Sequence, residues 1–125
     1  MYVFSQGGTI KHRSIAHSPV GYAVESGMVE EKEAFTHKER HVISNVLGFK
    51  DMHIELGSRV ALSPRDRVFL STDGLLDNIL ADDLVEKFKS GSLEDVLSEA
   101  VVKAQATMQK GKGKPDDMAI LLFSL

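Results

Sequence analysis

Hydrophobic positions along this chain follow two spacings, and each predicts its own elements. Short apolar runs at Tyr2–Phe4, Arg67–Thr72 and Met118–Phe123 read as strands, and Gly7-Gly8 places a hairpin turn behind the first of them. The last run, Met118-Ala119-Ile120-Leu121-Leu122-Phe123, is too uniformly apolar to alternate, which predicts a strand covered on both faces. Two more strands are expected, over 53–56 and 59–62, with Ser63-Pro64-Arg65-Asp66 as a type I turn before the strand that follows. Helices are expected over Pro19–Ser26, stopping at Gly27, and over Glu30–Val46, with a break near Thr36 and a stop at Gly48. Asp82 or Asp83 is placed to cap a short helix that ends at Phe88. Ser92 with Asp95 makes a capping-box start for a helix to about Met108, on which Leu93, Val96, Leu97, Ala100, Val101 and Ala104 recur at helical spacing as a core face. The fold class that results is α+β, with antiparallel strands packed with helices.

Composition narrows the function classes. A chain of 125 residues with 42% hydrophobic content can build one core and is short for two, so a single domain over 1–125 is expected. A net charge of −3 argues against a nucleic-acid partner, because phosphate binding calls for a concentrated basic face. Lys110-Gly111-Lys112-Gly113-Lys114 is the concentrated basic stretch; it reads as a solvated loop, or as a feature that draws an anionic phosphopeptide toward the acids beside it. The absence of cysteine removes disulfide and thiolate chemistry. With no signal-like segment and no apolar run of bilayer length, the expectation is a soluble cytoplasmic protein without a membrane partner. The chain enters a strand at Tyr2-Val3-Phe4 with no polar lead-in, which is expected of a cut through a larger fold.

The candidate chemistry sits at two strand ends. Asp73, followed by Gly74, closes the run Val68-Phe69-Leu70-Ser71-Thr72, and Lys114-Pro115-Asp116-Asp117 opens the last strand. A carboxylate on the end of a buried strand has a rigid mount, which suits a metal ligand; a side chain capping the next helix is the plainer alternative. Hard divalent ions need several acids from separate segments, and Asp73 and Asp116 are 43 positions apart, far enough for helices to return the chain to a neighbouring strand. His37 and His41 have the four-residue spacing of some zinc sites but no evident third ligand, so a surface role is expected. His12, His17 and His53 have no partner identifiable in the sequence. Ser71 lacks the context of a covalent nucleophile.

Ser71-Thr72-Asp73-Gly74-Leu75-Leu76-Asp77 followed by Pro115-Asp116-Asp117-Met118-Ala119-Ile120-Leu121-Leu122 resembles the closing motif pair of the protein phosphatase 2C family, the metal-dependent Ser/Thr phosphatases. Weaker features fall in the same order: the hairpin through Gly7-Gly8, His17-Ser18, Val24 to Glu31, Arg40 to Gly48, and Leu62 to Asp66. The resemblance covers nearly the whole chain but corresponds to the C-terminal half of that family's domain, part of an α-β-β-α sandwich. It implies that Asp73 and Asp116 are metal ligands, that Asp77 is an auxiliary ligand, and that Gly74 belongs to the same metal motif. Asp117 stands where the family usually has Asn. Ala16 stands where many members have an Asp associated with a third metal. The implied cofactors are two Mg²⁺ or Mn²⁺ ions, and the implied reaction is hydrolysis of a phosphoserine or phosphothreonine protein by a metal-activated water.

Three functional readings follow. The chain is a portion of a phosphatase whose activity belongs to the complete domain; or it is a binding or regulatory module on a partial phosphatase fold; or it is an unrelated two-metal hydrolase such as a nuclease. The partners expected, beyond substrate, are an N-terminal half or a second copy of the chain.

Overall fold

The computed structural model describes residues 1–88, 91–111 and 113–125. Along the chain the elements are β1 (Tyr2–Phe4), β2 (Ile10–Arg13), α1 (Pro19–Glu25), α2 (Glu31–Thr36), β3 (Arg67–Ser71), α3 (Asp73–Leu76), α4 (Ala81–Phe88), α5 (Leu93–Gln109) and β4 (Ile120–Ser124). They fall into two compact units, one of Met1–Arg13 with Val60–Leu125, the other of Ser14–Arg59.

The first unit is built on a four-stranded antiparallel sheet in the order β2-β1-β3-β4. Tyr2 lies opposite Phe69, and Phe69 opposite Leu122, so these residues and Phe4 share one face. That face meets α4 and α5 through Leu84, Phe88, Val96, Ala100 and Ala104. Phe4, Phe69 and Phe88 are fully enclosed; Phe4 and Phe88 stack at 4.1 Å and Phe69 meets Phe88 edge-on at 6.0 Å. Burying one such ring contributes about 2–3 kcal/mol, so this aromatic trio anchors the unit. Ala100 and Ala104 leave room for α5 to lie close to it.

The other face of the sheet carries Val3 and Val68, both buried, and Leu70, Leu121 and Phe123, which are not; Leu121 is 58% exposed. The final strand is therefore not covered on both faces, as its uniform apolarity predicted. It alternates, with Leu122 as the inward residue.

Several local expectations also change. The turn at Ser63–Asp66 closes with Asp66 N donating to Ser63 O at 3.0 Å, but Arg65 has φ +72°, which makes it a type II and not a type I turn. The α4 helix starts at Ala81, so Asp82 and Asp83 stand inside its first turn, where they meet the helix dipole, and neither is the cap. α5 begins as expected: Ser92 Oγ accepts from Asp95 N at 3.1 Å and donates to Asp95 Oδ2 at 2.8 Å.

The Ser14–Arg59 unit holds α1, capped by Ser18 Oγ accepting from Gly21 N at 2.9 Å, and α2. α2 ends at Thr36, where His37 turns extended, so the helix predicted as far as Val46 is one short segment. Residues 53–62 form no strand. His53 N, which a ladder would need, donates instead to Asn45 Oδ1 at 3.1 Å. Among the described residues, no helix is long and apolar enough to cross a membrane.

Candidate metal centre

Thr72 joins the two acidic motifs. Its N–H donates to Ala119 O at 3.0 Å, its hydroxyl donates to Asp117 O at 3.2 Å, and the same oxygen accepts from Ala119 N at 3.1 Å. The end of β3 is thus zipped to the segment that opens β4. Thr72 is also the N-cap residue of α3, without a side-chain cap bond, so Asp73 is not the cap; it starts the helix and leaves its side chain 67% exposed.

Gly74 is required by a close approach and not by a left-handed backbone. A Cβ there would lie 2.2 Å from the Asp117 carbonyl oxygen. Its absence lets the 116–117 backbone pass directly over α3. Asn78, almost completely buried, adds a second fastening: its Nδ2 donates to Gly74 O and to Lys114 O, each at 2.8 Å. Sequence reasoning passed over Asn78. The available signal was a polar residue within the largely apolar stretch Leu75-Leu76-Asp77-Asn78-Ile79-Leu80.

These fastenings bring Asp73, Asp77 and Asp116 around one point, which is marked by the Lys114 ammonium: Nζ is 3.9 Å from Asp73 Oδ2, 3.7 Å from Asp77 Oδ2 and 3.2 Å from Asp116 Oδ2. Asp116 Oδ1 accepts from Asp117 N at 2.9 Å. That backbone N–H, and then Lys114, hold the Asp116 carboxyl below the usual carboxylate range; its hydrogen bond to Asp116, then the charges of Asp73 and Asp77, raise Lys114. All the donors that converge here are carboxylate oxygens, and they already surround a positive charge. Carboxylate oxygens are the donors a hard divalent ion such as Mg²⁺ or Mn²⁺ prefers, but the three acids gather around the Lys114 ammonium without bringing ligand oxygens within 4.8 Å of one another, a closeness that among the described residues His17, His53 and Glu55 do reach.

The basic stretch expected to be a solvated loop behaves differently at its end. Lys110 caps α5, Lys112 lies outside the described residues, and Lys114 points into the acids. His37 and His41 do not share a helix, and His37 Nδ1 accepts from Glu39 N at 3.2 Å. His12 sits in β2 opposite Val3. His17 and His53 do have a partner, Glu55, which sequence reasoning missed; the hint was the local His53-Ile54-Glu55 pattern.

No protein-family model matches the chain. A protein described as a putative protein phosphatase 2C-type, from Streptococcus pyogenes, is 36% identical over 70 residues, which are 55% of this chain and 28% of that protein. A serine/threonine phosphatase structure from Staphylococcus aureus superposes with TM-score 0.73 at 24% identity, over 99% of this chain and 47% of that one. The serine/threonine phosphatase PstP/Ppp of Mycobacterium tuberculosis does so with TM-score 0.77 at 22% identity, over 99% and 50%. The chain spans about half the length of these structures. With its α+β fold and its paired acidic motifs, it is similar to a putative protein phosphatase 2C-type over 28% of that protein and to solved serine/threonine phosphatases over about half of their length.

Proposed function

We propose that this chain is the C-terminal portion of a metal-dependent protein serine/threonine phosphatase of the cytoplasm, acting on phosphoserine and phosphothreonine in proteins. The observation that carries the reading is the convergence of Asp73, Asp77 and Asp116 on a single cationic point. These residues would hold Mg²⁺ or Mn²⁺, with Gly74 keeping the ligand-bearing backbones in contact. A bound divalent ion supplies charge for the phosphoryl oxygens and lowers the pKa of the attacking water. The chain's own contribution is electrostatic and positional. Asp116 is kept ionised by the Asp117 N–H and Lys114, and Thr72 and Asn78 fix the spacing of the acids. None of these side chains attacks phosphorus.

A dinuclear centre needs more acids than converge here, and the phosphatases superposed on this chain are about twice as long. Activity is therefore assigned to the complete domain, with the N-terminal half contributed from the same or another chain. A second reading, a non-catalytic binding or regulatory module, is favoured by the position of Lys114, which offsets part of the acids' charge without a metal.

The test is hydrolysis of an aryl phosphate in Mn²⁺ by the purified chain, alone and fused behind the N-terminal half of a related phosphatase. The expected result is negligible turnover alone and turnover in the fusion that Asp73→Asn or Asp116→Asn abolishes. A folded fusion that binds phosphopeptide without cleaving it would favour the module; turnover by the lone chain would show that its site is complete.

A further inference from the structure

The Ser14–Arg59 unit has little to hold it together. Its helices are 7 and 6 residues long, and among the described residues its one buried hydrophobic side chain is Val20, while Met28, Ile43, Leu47, Phe49, Ile54 and Leu56 are exposed. Units this small, with so little core, generally depend on a cross-link or a metal. The cysteine-free sequence excludes a disulfide.

His17 lies near the start of this unit, and His53 and Glu55 near its end. His17 Nε2 is 3.3 Å from Glu55 Oε2, His53 Nε2 is 3.1 Å from Glu55 Oε1, and the candidate ligand atoms of all three residues lie within 4.8 Å of one another. We propose that His17, His53 and Glu55 bind a divalent cation of the zinc class, and that this ion clips the two ends of the unit together.

The spacing suits the ion. Bonds of about 2.0–2.1 Å in tetrahedral geometry set ligand atoms about 3.3 Å apart; each imidazole lies at about that distance from one Glu55 oxygen, His17 from Oε2 and His53 from Oε1, and a set already within 4.8 Å has only to contract onto one ion. The donor set selects the ion class: two imidazoles and one carboxylate suit Zn²⁺, Ni²⁺ or Co²⁺, whereas Mg²⁺ prefers oxygen alone. The supporting contacts are also present. Tyr22 Oη donates to Glu55 Oε1 at 3.3 Å, and the hydrogen bonds from His53 and then His17 hold Glu55 below the usual carboxylate range. Asn45 Nδ2 donates to His53 O at 2.9 Å and approaches His17 Nδ1 at 2.8 Å, an arrangement that leaves the His17 proton on Nε2, facing Glu55. A cation at Nε2 takes the place of that proton, which moves to Nδ1; the Asn45 amide, held in its orientation by the His53 backbone on both its atoms, then gives up its contact with Nδ1. As a hydrogen-bonded cluster alone, these half-exposed groups would stabilise the unit very little. Joining His17 to His53 through an ion removes the entropy of the long intervening loop from the unfolded chain.

The experiment is calorimetric titration of the chain with ZnCl₂, with the visible spectrum of the Co²⁺ form and tryptic cleavage within 14–59 as further readouts. With excess Mg²⁺ present, one tight equivalent of Zn²⁺ is expected, separate from any weaker uptake at the acid centre, and its affinity should fall at least about tenfold in His17→Ala and in His53→Ala. Affinity should be unchanged in His37→Ala and in Asp73→Asn, and excess Mg²⁺ should not compete. Zn²⁺ should slow cleavage of the unit. Equal binding by His53→Ala, loss of binding in Asp73→Asn, or the absence of a nitrogen-ligated Co²⁺ band in the unsubstituted chain would each overturn the proposal. The last needs no variant, so a misfolded substitution cannot mask the answer. Glu55→Gln, which keeps the side-chain shape and one acceptor, must also weaken the site.

Discussion

Lys114 Nζ lies 3.2 Å from Asp116 Oδ2, and the two residues belong to one short segment separated only by Pro115. The segment is fastened by Asn78 at the Lys114 carbonyl. The ammonium is therefore tethered beside three acids whose charge it offsets in part, and on the proposed function a divalent ion entering the centre must displace it.

Lys114→Met should consequently tighten Mn²⁺ binding by several-fold, since it removes a competing charge and leaves the carboxylates in place. The free-Mn²⁺ signal in electron paramagnetic resonance reads this directly. Without metal, the variant should lose stability at low ionic strength, where the acids repel one another unscreened. Unchanged or weaker Mn²⁺ binding by a folded variant would mean that Lys114 orders the acids more than it competes for them.

Gly74→Ala tests the close approach of the two motifs. The added Cβ would meet the Asp117 carbonyl oxygen at 2.2 Å, and Thr72 bonds on both sides of that carbonyl prevent an easy retreat. A loss of about 1–3 kcal/mol, typical of overpacking, is expected, with Mn²⁺ affinity falling as the acids spread. Thermal unfolding measures the first and titration the second. A variant with unaltered melting would show that the 116–117 backbone yields freely.

What could be read in advance was what is local. The Ser92–Asp95 cap and the periodic face of α5 depend on neighbours in sequence, and both appear where they were expected. The run Arg67–Thr72 became β3 because its inward residue, Phe69, finds Phe4 and Phe88. The segment 53–62 has comparable strand character but no ladder partner, so propensity had nothing to pair with. The final strand misled because its composition says apolar while burial is set by what lies on each side. The acids were recognisable by resemblance; their convergence on Lys114, the Asn78 fastening and the His17–Glu55–His53 cluster all join residues far apart in sequence, and no periodicity signals such contacts.

Asp66 provides a pH test away from the acid centre. It is nearly fully buried, with Lys11 Nζ 2.5 Å from Oδ2 and Ser63 N donating to the same oxygen at 2.8 Å. Lys11 first, then the Ser63 N–H, hold its carboxyl below the ordinary value. Since the folded-state value lies below the unfolded one of about 3.9, the stabilisation is complete above that pH and is lost as pH falls through the folded value. The difference in melting temperature between the wild-type chain and Asp66→Asn should thus be constant near neutrality and close in strong acid. A difference independent of pH would assign the effect of Asp66 to packing.

The outward face of the sheet gives the last prediction. Leu70 lies opposite Leu121, and Val68 opposite Phe123, so an apolar strip runs along β3 and β4, and β4 is an edge of the sheet among the described residues. Exposed apolar area next to an unpaired edge favours association. The purified chain should self-associate with increasing concentration in sedimentation velocity, and Leu121→Lys should shift it toward monomer. Because Leu121 is 58% exposed, that substitution should change stability by no more than about 0.5 kcal/mol, so the loss of association would not be a loss of fold. If an N-terminal half of a related phosphatase covers the same strip, adding it should compete with self-association, and Leu121→Lys should weaken both. A wild-type chain that stays monomeric at high concentration and takes up no such half would show that the strip is tolerated as free surface.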